Sequence, residues 1–193
     1  MPWMAKRQTL IPTEALPSAE DRLELFNTAR DLFLADGFAE IGIDHFALPS
    51  DGLEIAHQNG TMRRNFQGYT EDKSEVLIGV GASSISRYPQ GYAQNEPATG
   101  KYQGRVRNGE LASARGHEFC REDHLRGRII EMLLCDFRAD LTQVARELDA
   151  SLDELLAMCD GLDTALPDTT VLEDGVLTIL DHARPLARII ARR

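Results

Sequence analysis

From Arg121 the chain reads REDHLRGRIIEMLLCDFRADL, and this run constrains the fold more than any other. Leu125, Ile129, Met132, Leu133 and Phe137 recur at three- and four-residue spacing, so they line one side of a helix. Such a helix gains most of its stability by burying that stripe, so it needs neighbours. The downstream sequence supplies them. LTQVARELDA and SLDELLAMCDGL predict two more helices, with Thr142 and Ser151 as caps. TVLEDGVLTIL sets two apolar runs about Asp174-Gly175, the strongest short hairpin signal. A last helix runs from about Asp181 and is interrupted or begun at Pro185. Three helices, a hairpin and a closing helix outline a mostly helical, winged-helix-like unit over 113–193.

Upstream the character is α/β. Ser18 reads as a helix N-cap with Asp21 at the capping-box position, and Gly37 as the stop. Leu25, Ala29, Leu32 and Phe33 form the stripe between them. FAEIGIDHFALP then predicts a strand through Phe38, Ile41, Ile43 and Phe46, ended by Pro49. Helix, glycine turn and strand together are half of a βαβ repeat. SDGLEIAHQNG predicts a short helix capped by Ser50 or Asp51 and ended by Gly60. Val76–Val80, with glycines at 79 and 81, predicts a strand buried on both faces. RYPQGYAQNEPATG is turn-rich, and Lys101–Arg107 predicts a short helix. The division falls near 108–116, separating an α/β part, 1–112, from the helical part. Two or three strands do not make a self-sufficient parallel sheet, because its faces and open edge need cover. The chain reads as if its first half had been cut away, and a sheet left open in this way is expected to self-associate.

The formal net charge of −10 disfavours nucleic acid and anionic membranes as partners. No apolar run approaches the ~20 residues of a membrane span. MPWMAKRQTLIP lacks the apolar stretch of a signal peptide, so the cytoplasm is the expected compartment. Cys120, Cys135 and Cys159 lie 15 and 24 residues apart, which suits neither a disulfide framework nor a cluster-binding run.

Several constellations carry chemistry, each beside a plainer reading. GVGASS at 79–84 follows a predicted strand, but Ser86-Arg87-Tyr88-Pro89 does not start the helix that a dinucleotide site requires. Asp44 and His45 end a predicted strand, as a barrel active site would place them; a capped strand end with a hydrogen-bonded His explains them as well. His117, Cys120 and His124 would share a face on one helix, but Arg115-Gly116 postpones the helix start and no fourth ligand is evident, so no metal site is assigned. Between Thr142 and Asp163 stand six acids and one base, Arg146, a poor composition for a major-groove helix. Lys101 and Arg105, 107, 115, 121, 126 and 128 face four acids, which reads as a solvated surface or a polycarboxylate cradle. RRNFQGYT, 63–70, fits neither the helix nor the strand period. Phe66 and Tyr69 offer flat faces, Gln67 a paired donor and acceptor, and Gly68 a close approach. That set suits a nucleobase-like ligand, or a packed loop with Phe66 as its plug.

GFAEIGIDHFALPSDGLEIAHQNGTMRRNFQGYT, LIGVGASSIS, GYAQNE and the Arg115–Phe137 run, in this order, resemble the oxygen-independent coproporphyrinogen III dehydrogenases, radical S-adenosylmethionine enzymes of haem synthesis. The resemblance runs from about Trp3 to the end and is densest through Phe137. It implies the C-terminal part of a partial (β/α)6 barrel followed by the winged-helix-like unit. It implies a monomeric parent in which a Cys-x-x-x-Cys-x-x-Cys loop holds a [4Fe–4S] cluster and S-adenosylmethionine yields a radical. The parent converts two propionates of coproporphyrinogen III to vinyls, giving protoporphyrinogen IX. Neither that cysteine loop nor the early glycine-rich segments occur in this chain, so the chain alone is expected to be inactive. Phe66, Gln67 and Ile85 match family residues lining the S-adenosylmethionine region; Tyr69, Gln94 and Asn95 match motifs without an assigned role. The alternatives are a haem- or porphyrin-binding relative without catalysis, and a winged-helix module for DNA or protein.

Overall fold

The computed structural model describes residue 12 and residues 15–193. The N-terminal Met1–Ile11 stretch, read above for a signal peptide, lies outside the described residues. The first helix, α1 (Ala19–Ala35), begins as its sequence requires. Ser18 Oγ accepts from the Asp21 N–H at 3.1 Å, and the Asp21 carboxylate accepts from the Ser18 N–H at 3.0 Å. Gly37 follows the helix at φ +86. The apolar stripe stays open, however: Leu25 is 62% and Leu32 64% exposed. Phe33 does pack, stacked on Phe46 at 4.9 Å and edge-on to Phe38 at 5.4 Å.

FAEIGIDHFA forms a hairpin where one strand was expected. Strand β1 (Ala39–Ile41) pairs antiparallel with β2 (His45–Ala47) about Gly42-Ile43-Asp44. Gly42 sits at φ +56, and a Cβ there would overlap the Tyr69 ring, so glycine permits both the reversal and the close approach. A βαβ repeat therefore does not start here. Helix α2 (Gly52–Gln58) follows, capped by Asp51, which accepts from the Leu53 N–H at 2.8 Å. Strands β3 (Arg63–Arg64) and β4 (Tyr69–Thr70) pair antiparallel across the Asn65–Gly68 loop.

Val76–Val80 is not the doubly buried strand its apolarity predicts. Val80 is 83% exposed, and one isolated bridge, Leu77 to Arg87, ties the segment to its neighbour. Apolar runs become buried strands only when backbone edges and covering faces are present, and this segment has a single bridge and leaves Ile78 and Val80 uncovered. The regular strands come next: β5 (Ile85–Tyr88), β6 (Gly91–Asn95) and β7 (Ser113–Glu118) form an antiparallel sheet in that order. The turn-rich RYPQGYAQN segment is thus a hairpin turning at Pro89-Gln90, and α3 (Thr99–Arg107) links β6 to β7. Every pairing between these strands is antiparallel.

Helix α4 (Arg121–Asp136) buries Leu125, Ile129, Met132 and Leu133 as the stripe predicts. Phe137 ends it at φ +55 and is itself buried. Strand β8 (Arg138–Asp140) runs directly into α5 (Leu141–Glu147). The α5 cap is Asp140, which accepts from the Gln143 N–H at 2.9 Å, and not Thr142. The helix starts early because Leu141, fully buried, must already face the core. Ser151 caps α6 (Leu152–Met158) as expected, and α7 (Leu162–Ala165) is a single turn. Strands β9 (Thr170–Glu173) and β10 (Val176–Ile179) flank Asp174 and Gly175 at φ +50 and +76, the type I′ turn geometry. Strand β10 lies between β8 and β9, both antiparallel to it. A 3-10 turn (Asp181–Leu186) containing Pro185 leads into α8 (Ala187–Ile190).

Two apolar clusters result. The larger joins the α4 stripe to Leu141, Val144, Leu155, Leu177 and Ile190. The smaller gathers Ile41, Ala47, Ala56 and Met62 around Cys135, which also belongs to α4. One helix thus serves both halves of the chain.

Candidate functional site

The Asn65–Gly68 loop is built by its own polar groups. Asn65 Oδ1 accepts from the Gln67 and Gly68 N–H groups at 2.8 and 3.2 Å, and the Asn65 N–H donates to the Gly68 carbonyl at 2.9 Å. Gly68 takes φ +147, with His45 Nε2 close by. The turn leaves Phe66 and Gln67 at its exposed tip, Phe66 at 53%. The Phe66 ring stands edge-on to Tyr92 at 4.8 Å, and Tyr92 edge-on to Phe119 at 4.6 Å.

Tyr92 connects this loop to the three-stranded sheet. The register sets Ile85 opposite Gln94, Gln94 opposite Arg115, and Tyr92 opposite His117. Side chains alternate along a strand, so Ile85, Tyr92, Gln94, Arg115 and His117 share one face. Phe66 therefore packs onto the face that carries Ile85, and Gln67 follows it, exposed, in the loop. A depression of about 350 Å³ opens at the hairpin end of this sheet, with Tyr92 and His117 in its lining.

Gln94 and Asn95 acquire roles that their motif does not reveal. Gln94 accepts from Arg115 Nε at 2.6 Å and donates to the Ser83 carbonyl at 2.8 Å. Asn95 Nδ2 donates to the Gly79 and Gly81 carbonyls at 3.0 and 3.1 Å. The two amides hold the GVGAS loop on the sheet. That loop leads into β5, so it presents no helix N-terminus to a phosphate.

The remaining candidates disperse. His45 Nδ1 lies 2.9 Å from Asp44 Oδ1, and Asp44 Oδ2 accepts from Arg188 at 2.8 Å. His117 is on β7, Cys120 precedes α4 and His124 is within it, so the three do not share a helix. His117 Nε2 lies 3.1 Å from the Asp123 carboxylate, whose pKa is held down chiefly by the hydrogen bond from the Cys120 N–H. Among the described residues no group of three or more His, Cys, Asp or Glu is gathered to hold a metal. The arginines are engaged separately: Arg105 with Glu96, Arg121 with Glu154, Arg126 with Glu122, Arg128 with Glu131 and Glu147. Cys120 is exposed, whereas Cys135 and Cys159 are buried. Burial pushes the Cys135 thiol up to about 12 and also raises Cys159, so neither suits cluster ligation. A cavity of about 490 Å³ lies between α4 and the end of the chain, with Arg64, Ile129, Leu133 and Ile190 in its lining. Among the described residues no helix is long and apolar enough to cross a membrane.

Two residues that sequence reasoning left without a role hold the loop from outside. The Tyr69 hydroxyl accepts from the Ile43 N–H at 2.9 Å and donates to the Leu134 carbonyl at 2.7 Å, and burial raises its pKa. Glu131 accepts from Arg63 at 3.1 Å, Arg128 at 2.9 Å and the Arg64 N–H at 3.4 Å. Tyr69 stood in a recognisable motif; Glu131, on the polar side of an amphipathic run, gave no signal.

The fold as a whole matches that of a radical SAM enzyme. The chain superposes over its full length on coproporphyrinogen III oxidase (HemN) from Escherichia coli, with a TM-score of 0.89 and 30% identity, covering 45% of that chain. Curated relatives narrow the class. The oxygen-independent coproporphyrinogen III oxidase of Paracoccus denitrificans is 52% identical over 192 residues, and that of Cereibacter sphaeroides 46% identical over 192. Each match takes in 100% of this chain and 43% of the relative, so the chain spans less than half the length of these proteins. No protein-family model matches. The resemblance stated from the motifs is therefore shown: this chain is homologous, along its whole length, to oxygen-independent coproporphyrinogen III oxidases.

Proposed function

We propose that this chain supplies one wall of the S-adenosylmethionine site in an oxygen-independent coproporphyrinogen III oxidase. The observation that carries the reading is the placement of Phe66. The fold leaves it exposed and lays it, through Tyr92, on the sheet face of Ile85. Phe66 offers a flat apolar surface to an adenine or ribose, Gln67 a donor and an acceptor to a polar edge, and Ile85 a branched wall. These groups fit the adenosyl moiety. The described cysteines do not fit the cluster, which belongs to the rest of the enzyme. In that enzyme the cluster and S-adenosylmethionine supply the radical that starts oxidative decarboxylation of two coproporphyrinogen III propionates, giving protoporphyrinogen IX. The chain's own residues orient the cofactor and exclude water from that side.

In this reading the upstream elements are the last part of the radical SAM barrel with its peripheral hairpins. The order α4, β8, α5, α6, β9, β10 is that of a winged-helix-like unit, which would close over the barrel mouth. Because β7 pairs with β6, we place the division after Glu118. The acids of α5 and α6 speak against DNA as its partner.

The test is equilibrium binding of S-adenosylmethionine to the full-length enzyme carrying Phe66→Ala or Gln67→Ala. Affinity should fall about tenfold or more for Phe66→Ala, the loss of a stacking face of ~1.4 kcal/mol. Unchanged affinity in both variants overturns the assignment. The isolated 193-residue chain should not turn over coproporphyrinogen III, and measured turnover would remove the claim that it is inactive alone.

A further inference from the structure

We propose that Tyr69 and Glu131 are positioning residues through which α4 sets the Asn65–Gly68 loop, and with it Phe66 and Gln67; this rests on the reading of that loop as a cofactor wall. The loop cannot hold its own place. Its Asn65 turn is local, and the β3–β4 ladder is only two residues on each strand, far below what an isolated hairpin needs. Beyond the edge-on contact of Phe66 with Tyr92, each strand of the hairpin is hydrogen-bonded to α4.

On the β3 side the anchor is Glu131, whose side chain is 15% exposed. It receives the Arg63 guanidinium and the Arg64 N–H on its loop side, and Arg128 from its own helix. Arg128 is in turn held by Glu147 at 2.8 Å, so the carboxylate stands in a fixed orientation. On the β4 side the anchor is Tyr69. Leu134 lies in the last turn of α4, where backbone carbonyls have no partner within the helix. The Tyr69 hydroxyl satisfies that carbonyl while accepting from Ile43 in the β1–β2 turn. Its ring fills the space that the absent Cβ of Gly42 leaves free and meets His45 edge-on at 5.0 Å. One hydroxyl thus ties β4, the β1–β2 turn and α4 together. The hydrogen bonds of Tyr69 and Glu131 go to α4, the β1–β2 turn and β3 and not to the tip side chains, so the roles divide: Phe66 and Gln67 face the ligand, and Tyr69 and Glu131 decide where they stand.

The experiment uses the full-length enzyme with Tyr69→Phe, which keeps the ring and removes the hydroxyl, and Glu131→Gln, which keeps the shape and removes the charge. Tyr102→Phe is the control, since it deletes a tyrosine hydroxyl bonded to the Gly81 N–H, away from this loop. Amide exchange of residues 65–68, S-adenosylmethionine affinity and the split between KM and kcat are read together. Tyr69→Phe should speed exchange at 65–68 about tenfold, raise KM for S-adenosylmethionine about tenfold and leave kcat within about twofold, while Tyr102→Phe leaves all three unchanged. Wild-type exchange at 65–68 in both Tyr69→Phe and Glu131→Gln overturns the proposal, as does equal loosening in the control. Faster exchange with unchanged affinity also overturns it. If Phe66→Ala and Gln67→Ala both leave affinity intact, the cofactor-wall reading fails by itself, and exchange at 65–68 alone then judges the anchoring.

Discussion

Cys135 shows how one side chain can matter through its surroundings. It is almost fully buried at the junction of α4 with the small cluster, and its thiol is pushed up to about 12 by burial, with Asp136 and Glu131 adding to the effect. Its thiolate is therefore scarce at neutral pH. Alkylation of the native chain at pH 8, followed by mass spectrometry, should label the exposed Cys120 at least about tenfold faster than Cys135 or Cys159. Equal labelling would show that the cluster around Cys135 is not formed. Glu147 illustrates the opposite shift. Hydrogen bonds from Arg128 and Gln143 hold its carboxyl below the usual value of 4.5. A depressed acid contributes stability above its unfolded pKa and loses it as pH falls through the folded one. Glu147→Gln should thus lower Tm at pH 7, and its gap to wild type should narrow as pH falls below the usual value of 4.5; a gap that does not narrow with falling pH would exclude the ion-pair origin.

At the scale of elements, the helical half was legible because its cues were local and agreed. The stripe of α4, the Ser151 cap and the Asp174-Gly175 turn each appear where the sequence places them. Leu155 is fully buried and central, so Leu155→Ala should cost about 2–5 kcal/mol in denaturant unfolding. Gly175 takes φ +76 with Thr142 Oγ1 3.1 Å from where a Cβ would stand, so Gly175→Ala should cost about 1–2 kcal/mol. A wild-type midpoint in either variant would contradict the packing of α6 and the β9–β10 hairpin around α5. The α/β half was less legible for a physical reason. β-rich composition in FAEIGIDHFA cannot distinguish one strand from two short ones. Gly42 makes the reversal possible, but the Tyr69 ring that occupies the vacated space lies 27 residues on. Val76–Val80 is apolar enough for a buried strand, yet burial depends on partners that no local window contains.

For the whole molecule, the imbalance between the two halves has a measurable consequence. The helical half closes around one core, whereas α1 and Val76–Val80 present Leu25, Leu32, Ile78 and Val80 to solvent. Exposed apolar surface of this kind drives association. The isolated chain should show a concentration-dependent mass in light scattering, and Leu32→Lys with Val80→Lys should reduce it; a monomer at all concentrations would contradict this. The order of the motifs was enough to reveal the family, and periodicity and caps were enough for the helical half; resemblance also pointed to Phe66, Gln67 and Ile85. The contact of Phe66 with Tyr92 on the sheet face of Ile85, and the hold of α4 on the loop through Tyr69 and Glu131, emerge only from the packed fold. The reason is sequence separation: caps and stripes act within a few residues, whereas these contacts join groups 65 and 68 positions apart, whose meeting depends on the packing of whole elements.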